Sequence, residues 1–209
     1  RLSEYSVAIQ GFGNVGSNLA RLLHNEGAKV VAVSDSRGGV YDAAGLDVPT
    51  VLAHKQEHGT LEGLANAEAV TNEELVELPC DIFAPCALEQ VVTEANADRV
   101  KATVICEGAN GPVTPSADAI LEDRGVLVLP DVLANAGGVI VSYFEWVQGL
   151  QEYFWREDEV NAKLHDIVAR AFEEAWLTRE SRATSLRMAS YGIAVERVAE
   201  ATTTRGLYP

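Results

Sequence analysis

The sequence predicts an α/β fold: a doubly wound, mostly parallel sheet followed by a helical C-terminal extension. Three observations carry that expectation. Short apolar runs bounded by turn formers alternate with helix-period segments as far as residue 129, the pattern of a sheet covered on both faces. Gly11-Phe12-Gly13-Asn14-Val15-Gly16 matches G-x-G-x-x-G between a strand-like run and a helix-like run, the context that this pattern requires. After Pro130 the strand-like runs cease and only helix-period segments follow.

The elements follow in order. Residues 5–10 (YSVAIQ) read as a buried strand running into the glycines. Val15, Leu19, Leu22 and Leu23 recur at helical spacing. Residues 29–34 (KVVAVS) read as a second strand, closed by Asp35 nineteen positions beyond Gly16. A hairpin-like segment over 38–45 and a helix over 48–58 come next. Buried strands are expected at 82–84, 103–106 and 126–129, with helices at 72–77, 88–98 and 115–123, joined by right-handed crossovers. Residues 135–155 read as one long apolar helix. Residues 158–179 read as an amphipathic helix with Val160, Leu164, Ile167, Val168, Ala171, Phe172 and Ala175 on one face. A last helix is expected over 185–202. With no linker or repeat, the chain reads as one domain, 1–209, whose C-terminal helices occupy about 135–203.

Strand, glycine turn, helix, strand and acid make a Rossmann-like dinucleotide-binding unit. Gly11 permits a tight turn. Gly13 lets the backbone approach a pyrophosphate, and Gly16 lets helix and strand pack closely. The helix N-terminus offers N–H groups and a positive dipole end to phosphates. Asp35 can accept from both hydroxyls of an adenosine ribose, which favours NAD. Ser34, Ser36 and Arg37 flank it and can hold the 2′-phosphate of NADP, Arg37 by a bidentate pair. The sequence leans slightly to NAD and leaves NADP open. The other reading of the motif is a glycine-rich turn without a ligand.

Composition narrows the class. At 209 residues and 47% apolar, the chain can bury a good-sized core. Its net charge is −15, with the acids spread along its length, so it repels nucleic acid and anionic membranes and neither is an expected partner. Only four of its sixteen basic residues are lysines. A dense carboxylate coat of this kind suits a high-salt cytoplasm, where screening removes self-repulsion; an ordinary acidic enzyme is the alternative. No apolar run approaches the roughly 20 residues that span a bilayer. Cys80, Cys86 and Cys106 lack C-x-x-C spacing and suggest reduced thiols in a cytoplasm. His54 and His58 lie four apart on an expected helix, but without a nearby third ligand they read as a solvated face and no metal site is expected. The chain opens at Arg1 without a methionine and reads as part of a longer protein or a processed product.

Other candidate residues lie where strands end or helices begin. Pro85-Cys86-Ala87 and Glu107-Gly108-Ala109-Asn110 follow two expected strands, at the sheet edge a dinucleotide would cross. Asn110 is also a natural Asx-turn residue. Asn135 is placed to cap the long helix, and Val139 and Ser142, four and seven positions on, share its face. That face reads equally as a small-residue packing surface or as part of a binding site.

Together these motifs resemble the C-terminal, cofactor-binding half of glutamate dehydrogenases, archaeal ones most closely, within the wider family acting on Glu, Leu, Phe and Val. The resemblance rests on VAIQGFGNVGSNLARLL, VVAVSDSRGGVYD, TNEELVELPCDIFAPCALE, ICEGANGPVTPSAD and LPDVLANAGGVIVSYFEWVQ and covers almost the whole chain. It implies oxidative deamination of L-glutamate to 2-oxoglutarate and ammonia, with hydride passing to NAD or NADP. It implies that Gly11, Phe12, Gly13, Asn14, Val15, Gly16, Asp35, Ser36, Arg37, Ala87, Asn110 and Asn135 contact the cofactor. Asn110 and Asn135 would meet the nicotinamide and its ribose. Val139 and Ser142 would face the substrate, with Ser142 helping to bind its side-chain carboxylate where branched-chain relatives carry an apolar residue. In this family the lysine-rich substrate pocket, catalytic lysine and aspartate lie in an N-terminal half that this sequence does not contain. The resemblance therefore implies a cofactor domain without catalytic residues, inactive alone, from a homohexamer whose contacts lie largely in the other half, so that this part by itself is a monomer. The alternatives are a branched-chain or aromatic amino-acid dehydrogenase and a non-catalytic dinucleotide-sensing module.

Overall fold

Seven strands form one sheet: β1 (Ser6–Gln10), β2 (Lys29–Asp35), β3 (Gly38–Tyr41), β4 (Glu68–Val70), β5 (Ile82–Pro85), β6 (Val104–Cys106) and β7 (Leu127–Leu129). Their order is β4-β3-β2-β1-β5-β6-β7. β2, β1, β5, β6 and β7 run parallel, while β3 and β4 add an antiparallel edge. The structure, a computed structural model, describes residues 1–206, and residues 207–209 of the expected domain lie outside the described residues. The chain divides into two compact units, Arg1–Asp131 and Val132–Pro209.

In the first unit, helices cover both faces of the sheet, as parallel strands require. Ala8, Ala32, Phe83 and Ile105 pack on one face with Leu75 and Val76 of α3 (Asn72–Val76) and Ala117 and Leu121 of α4 (Pro115–Asp123). Val7, Ile9, Val30 and Val33 pack on the other with Ala20 of α1 (Asn14–Asn25) and Val48 and Val51 of α2 (Val48–His58). A register shift between Val7 and Ala8 leaves Val31 unpaired with β1. Val31 and Ala32 consequently join one cluster while Val30 and Val33 join the other, because one extra residue resets the side-chain alternation of a strand.

Helix α1 forms as its spacing predicts, one expectation for this unit is corrected, and one strand is new. Val15 and Leu22 are exposed, and the buried face of α1 runs through Gly16 and Ala20, with Leu19 and Leu23 half-buried beside them. The close approach of α1 to β1 admits only small residues at its centre. Residues 88–98 form turns instead of a helix. Their backbone is taken by an extended pairing, Val92 N–H to Pro112 O at 2.9 Å and Thr114 N–H to Val92 O at 3.0 Å. Asn96 adds side-chain bonds to Thr93 N–H and Val91 O, competing with helix formation. β4 was not expected: it is three residues long and pairs antiparallel with β3 at the sheet edge.

The second unit holds α6 (Gly137–Gln151), α7 (Glu157–Arg182) and α8 (Leu186–Arg205), preceded by the short α5 (Asp131–Ala134) that crosses the boundary. The single helix expected over 135–155 is thus interrupted at its start and ends early. Asn135 lies in the turn between α5 and α6. The N-cap of α6 is Ala136, in αR geometry without a side-chain cap, whereas a capping Asn needs extended backbone. α6 stops at Glu152, which adopts αL geometry. Gln148 then gathers the departing chain: its carbonyl accepts from Tyr153 N–H and its Oε1 from Trp155 N–H. On the apolar face of α7, Ala175 is buried, whereas Ile167 and Phe172 are exposed. Among the described residues, no helix is long and apolar enough to cross a membrane.

Candidate functional site

The parallel strands deliver their carboxyl ends to one edge of the sheet. Gly11 follows β1, Asp35 ends β2, Pro85 ends β5 and Glu107 follows β6. β2 and β5 flank β1 on opposite sides. The chain therefore reverses its winding direction at β1, where open α/β sheets form their ligand crevice.

The three motif glycines differ physically. Gly11 has φ +92°, and a Cβ there would lie 2.6 Å from Ala87 Cβ. Its N–H is held by the buried Ser34 hydroxyl at 3.3 Å. A Cβ on Gly16 would lie 1.8 Å from the Gly11 carbonyl oxygen, so this glycine sets the distance between α1 and β1. Gly13 has an ordinary φ of −86° and no atom within 4 Å of where its Cβ would be. The packing of this chain does not require glycine at that position. It is the N-cap of α1, has no side-chain cap, and is exposed together with Asn14 and Val15. Open space thus faces the first N–H groups of a twelve-residue helix, an arrangement suited to phosphate oxygens. Phe12 is buried and anchors the turn in the core.

Asp35 is more constrained than its place in the sequence suggests. Its Oδ2 accepts from Lys55 Nζ at 2.6 Å and from Leu61 N–H at 3.0 Å. Its Oδ1 accepts from Arg37 N–H at 2.8 Å. The side chain is only 7% exposed. Burial pushes the Asp35 carboxyl up, but Lys55 and the two N–H groups outweigh that and hold it below its ordinary range. A carboxylate offers about four acceptor positions, and three are filled, so one remains for a ribose hydroxyl where the sequence suggested two. Ser36 and Arg37 are exposed, and the Arg37 guanidinium lies 3.6 Å from Glu62. Ser34 is fully buried, committed to Gly11, and is not available to a phosphate.

The loops after β5 and β6 adjoin the glycine turn. Ala87 is exposed and abuts Gly11. Gly108 and Ala109 N–H groups both donate to Pro85 O, at 3.0 and 2.8 Å. The fully buried Glu107 accepts from Asp131 N–H at 2.7 Å, and Asp131 Oδ2 accepts from Gly111 N–H at 2.9 Å. These two carboxylates fix the loop that presents the exposed Asn110. Burial raises the Cys80 thiol to about 11 and, with Cys106 beside it, the Cys86 thiol to about 12, so both are protonated and unreactive near neutrality. The His54 and His58 rings lie 4.4 Å apart, and His54 Nε2 bonds the Glu62 carbonyl at 3.0 Å.

In the second unit, Val139 and Ser142 share one face of α6, three positions apart, and both are exposed, Val139 at 76%. Asn135 is half-buried in the turn before that helix.

Sequence reasoning missed two residues that organise the first unit's site, Lys55 and Asn72, and gave Ser34 a different role. Lys55 and Ser34 hold Asp35 and Gly11, and Asn72 Nδ2 donates to the Asp35 carbonyl at 3.0 Å. An Asp and a Lys twenty positions apart leave no periodic signal. Lys55's place in the last turn of the expected helix over 48–58, among so few lysines, was the available hint.

The Glutamate/Leucine/Phenylalanine/Valine dehydrogenase family model matches residues 1–206. A glutamate dehydrogenase of Thermotoga maritima is 53% identical over 205 residues, 98% of this chain and 49% of that protein. An NAD-specific glutamate dehydrogenase of Staphylococcus aureus is 48% identical over 200 residues, 96% of this chain and 48% of that protein. Among solved structures, the hetero-hexameric glutamate dehydrogenase of Thermus thermophilus in a leucine-bound form superposes with a TM-score of 0.93 at 37% identity, over 100% of this chain and 49% of that one. The chain spans about half the length of the relatives it matches.

Proposed function

The chain belongs to the Glutamate/Leucine/Phenylalanine/Valine dehydrogenase family, and from that premise we propose that it is the NAD(P)-binding half of an enzyme that oxidatively deaminates L-glutamate to 2-oxoglutarate and ammonia. The observation that carries the reading is the open N-terminus of α1 at Gly13, set beside Asp35 at the switch point of the sheet.

The first N–H groups of α1 bind the pyrophosphate, with Gly11 and Gly16 holding the turn to the sheet. Asp35 accepts from an adenosine-ribose hydroxyl through its remaining acceptor position. Ala87 and Asn110 line the path of the dinucleotide, and Asn135 meets its nicotinamide end. When bound, the nicotinamide supplies the hydride acceptor. Val139 and Ser142 face the substrate, and the Ser142 hydroxyl donates to its side-chain carboxylate. A hydroxyl placed for that bond discriminates against an apolar side chain. Asp35 and the NAD-specific naming of the Staphylococcus aureus relative support a lean to NAD.

The substrate lysines and the catalytic pair are expected in a separate half of the enzyme. Hydride transfer needs both reacting carbons in near-attack geometry, so the chain alone has no turnover. The complete enzyme is a homohexamer; the hexamer named for the Thermus thermophilus structure supports the subunit number, although that assembly is hetero-hexameric. Fluorescence titration of the purified chain with NADH tests the reading, with glutamate-dependent reduction of NAD followed in parallel. The expected result is saturable NADH binding without turnover. Absence of NADH binding overturns the cofactor-domain reading, and turnover by the chain alone overturns the division of labour.

A further inference from the structure

We propose that Lys55 is a cofactor-specificity determinant, whose ammonium neutralises Asp35 and so leaves the ribose end of the site open to an adenosine 2′-phosphate as well as to a free 2′-hydroxyl. This rests on the reading of the chain as a dinucleotide-binding domain and names the ligand class that its ribose end admits.

An acid closing the second strand discriminates in two ways. It accepts from the ribose hydroxyls, and its charge repels a phosphate. Both effects are weakened here. Three donors already occupy the Asp35 carboxylate, so one acceptor position remains. Its charge is matched by an ammonium 2.6 Å away in a largely water-excluded pair, with Asp35 7% and Lys55 27% exposed. Low exposure preserves such a pair from screening by salt. The next pair outward is also balanced, Arg37 with Glu62 at 3.6 Å, though both are well exposed. The four charged groups of these two pairs sum to zero, so Asp35 presents no unmatched charge to an incoming phosphate.

The Lys55 position is fixed from two sides. Its Nζ also donates to the Gly59 carbonyl at 3.0 Å. Gly59 is the αL C-cap of α2, and the following Leu61 N–H returns to Asp35. Lys55 therefore ties the end of α2 to the end of β2, and its charge stays beside Asp35.

The test is the ratio of the dissociation constants for NADPH and NADH, titrated by fluorescence at one ionic strength for wild type, Lys55→Arg, Lys55→Met and Asp35→Asn/Lys55→Met. A purely structural role for Lys55 moves both affinities together and leaves the ratio alone. Wild type is expected to bind the two cofactors within about tenfold of each other, and Lys55→Arg likewise. Lys55→Met exposes an unmatched charge to the 2′-phosphate and is expected to weaken NADPH relative to NADH by about tenfold or more. The double variant removes both charges and is expected to return the ratio to the wild-type value or below it. Where Lys55→Met fails to fold, Lys55→Gln, which keeps donor capacity but removes the charge, takes its place under the same expectation of a ratio shifted against NADPH by about tenfold or more. A ratio unmoved by Lys55→Met, a double variant that does not restore it, or a wild type that binds NADH but excludes NADPH overturns the proposal and leaves the cofactor-domain reading standing. Binding of neither cofactor by wild type overturns that reading itself.

Discussion

Substituting Gly16 and Gly13 by alanine, one at a time, separates what the glycine turn does for the fold from what it does for a ligand. At Gly16 the new Cβ would sit 1.8 Å from Gly11 O, 3.0 Å from Gly11 C and 3.2 Å from Ile9 Cγ2. The nearest obstacles are backbone, so no side chain can swing aside. Bringing the first contact out to only 3.0 Å needs α1 to retreat by about 1.2 Å, the difference between the two distances. Overpacking of that severity costs about 3 kcal/mol, and the better helix propensity of alanine returns up to about 1 kcal/mol. The net of about 2 kcal/mol lowers the melting temperature by about 4–8 °C for a chain of this size. At Gly13 nothing lies within 4 Å and φ is −86°. The structural cost is the N-cap difference between glycine and alanine, at most about 1 kcal/mol. The new methyl would, however, stand where a pyrophosphate approaches, and NADH affinity is expected to fall about tenfold or more. Thermal melts and NADH titrations on both variants check this. Gly13→Ala binding NADH within about twofold of wild type refutes the assignment of the open space to the pyrophosphate. Gly16→Ala melting with wild type refutes the claim that this glycine sets the α1 to β1 distance.

Two further outcomes are expected. Asp35 is held below its ordinary range by Lys55 and two N–H groups against the upward pull of burial, and Asp81 by the hydroxyl and N–H of Ser6. A carboxylate with a depressed folded value stabilises the fold above its unfolded value of about 3.9 and loses that contribution as pH falls through the folded value. Urea midpoints should therefore drop between pH 5 and the acid limit, at about pH 4 and below, and drop less in Asp35→Asn; an equally steep drop in that variant refutes the assignment. In the complete enzyme, Ser142→Val should lower kcat/KM for glutamate by about 100-fold or more while sparing leucine; an unchanged ratio of the two removes Ser142 from the substrate site.

Much of the architecture was legible in the chain because the relevant forces are local. Strands β1 and β2, helix α2 and helix α4 appear where apolar periodicity and turn formers place them. Helix α3 forms where a helix over 72–77 was expected, and the structure closes its start with a capping box of Thr71 and Glu74. The turns over 88–98 were not legible, because their backbone is satisfied by Val113 and its neighbours on a distant segment. Nor was the break before α6, since a capping Asn and an Asn in a turn between two helices read alike along the chain. At the candidate site the glycines and Asp35 were visible, but the occupancy of Asp35 was not.

The amino-acid sequence by itself determined that strands and helices alternate, that a glycine turn opens a helix at the end of the first strand, and that an acid closes the second. Those are properties of neighbouring residues, governed by side-chain period and by backbone that only glycine tolerates. The tertiary structure decided which glycine packs against the protein and which faces open space. It also decided that Asp35 is already bonded and neutralised by Lys55. Both depend on distances between segments far apart in the chain, and such distances are set only when the sheet assembles.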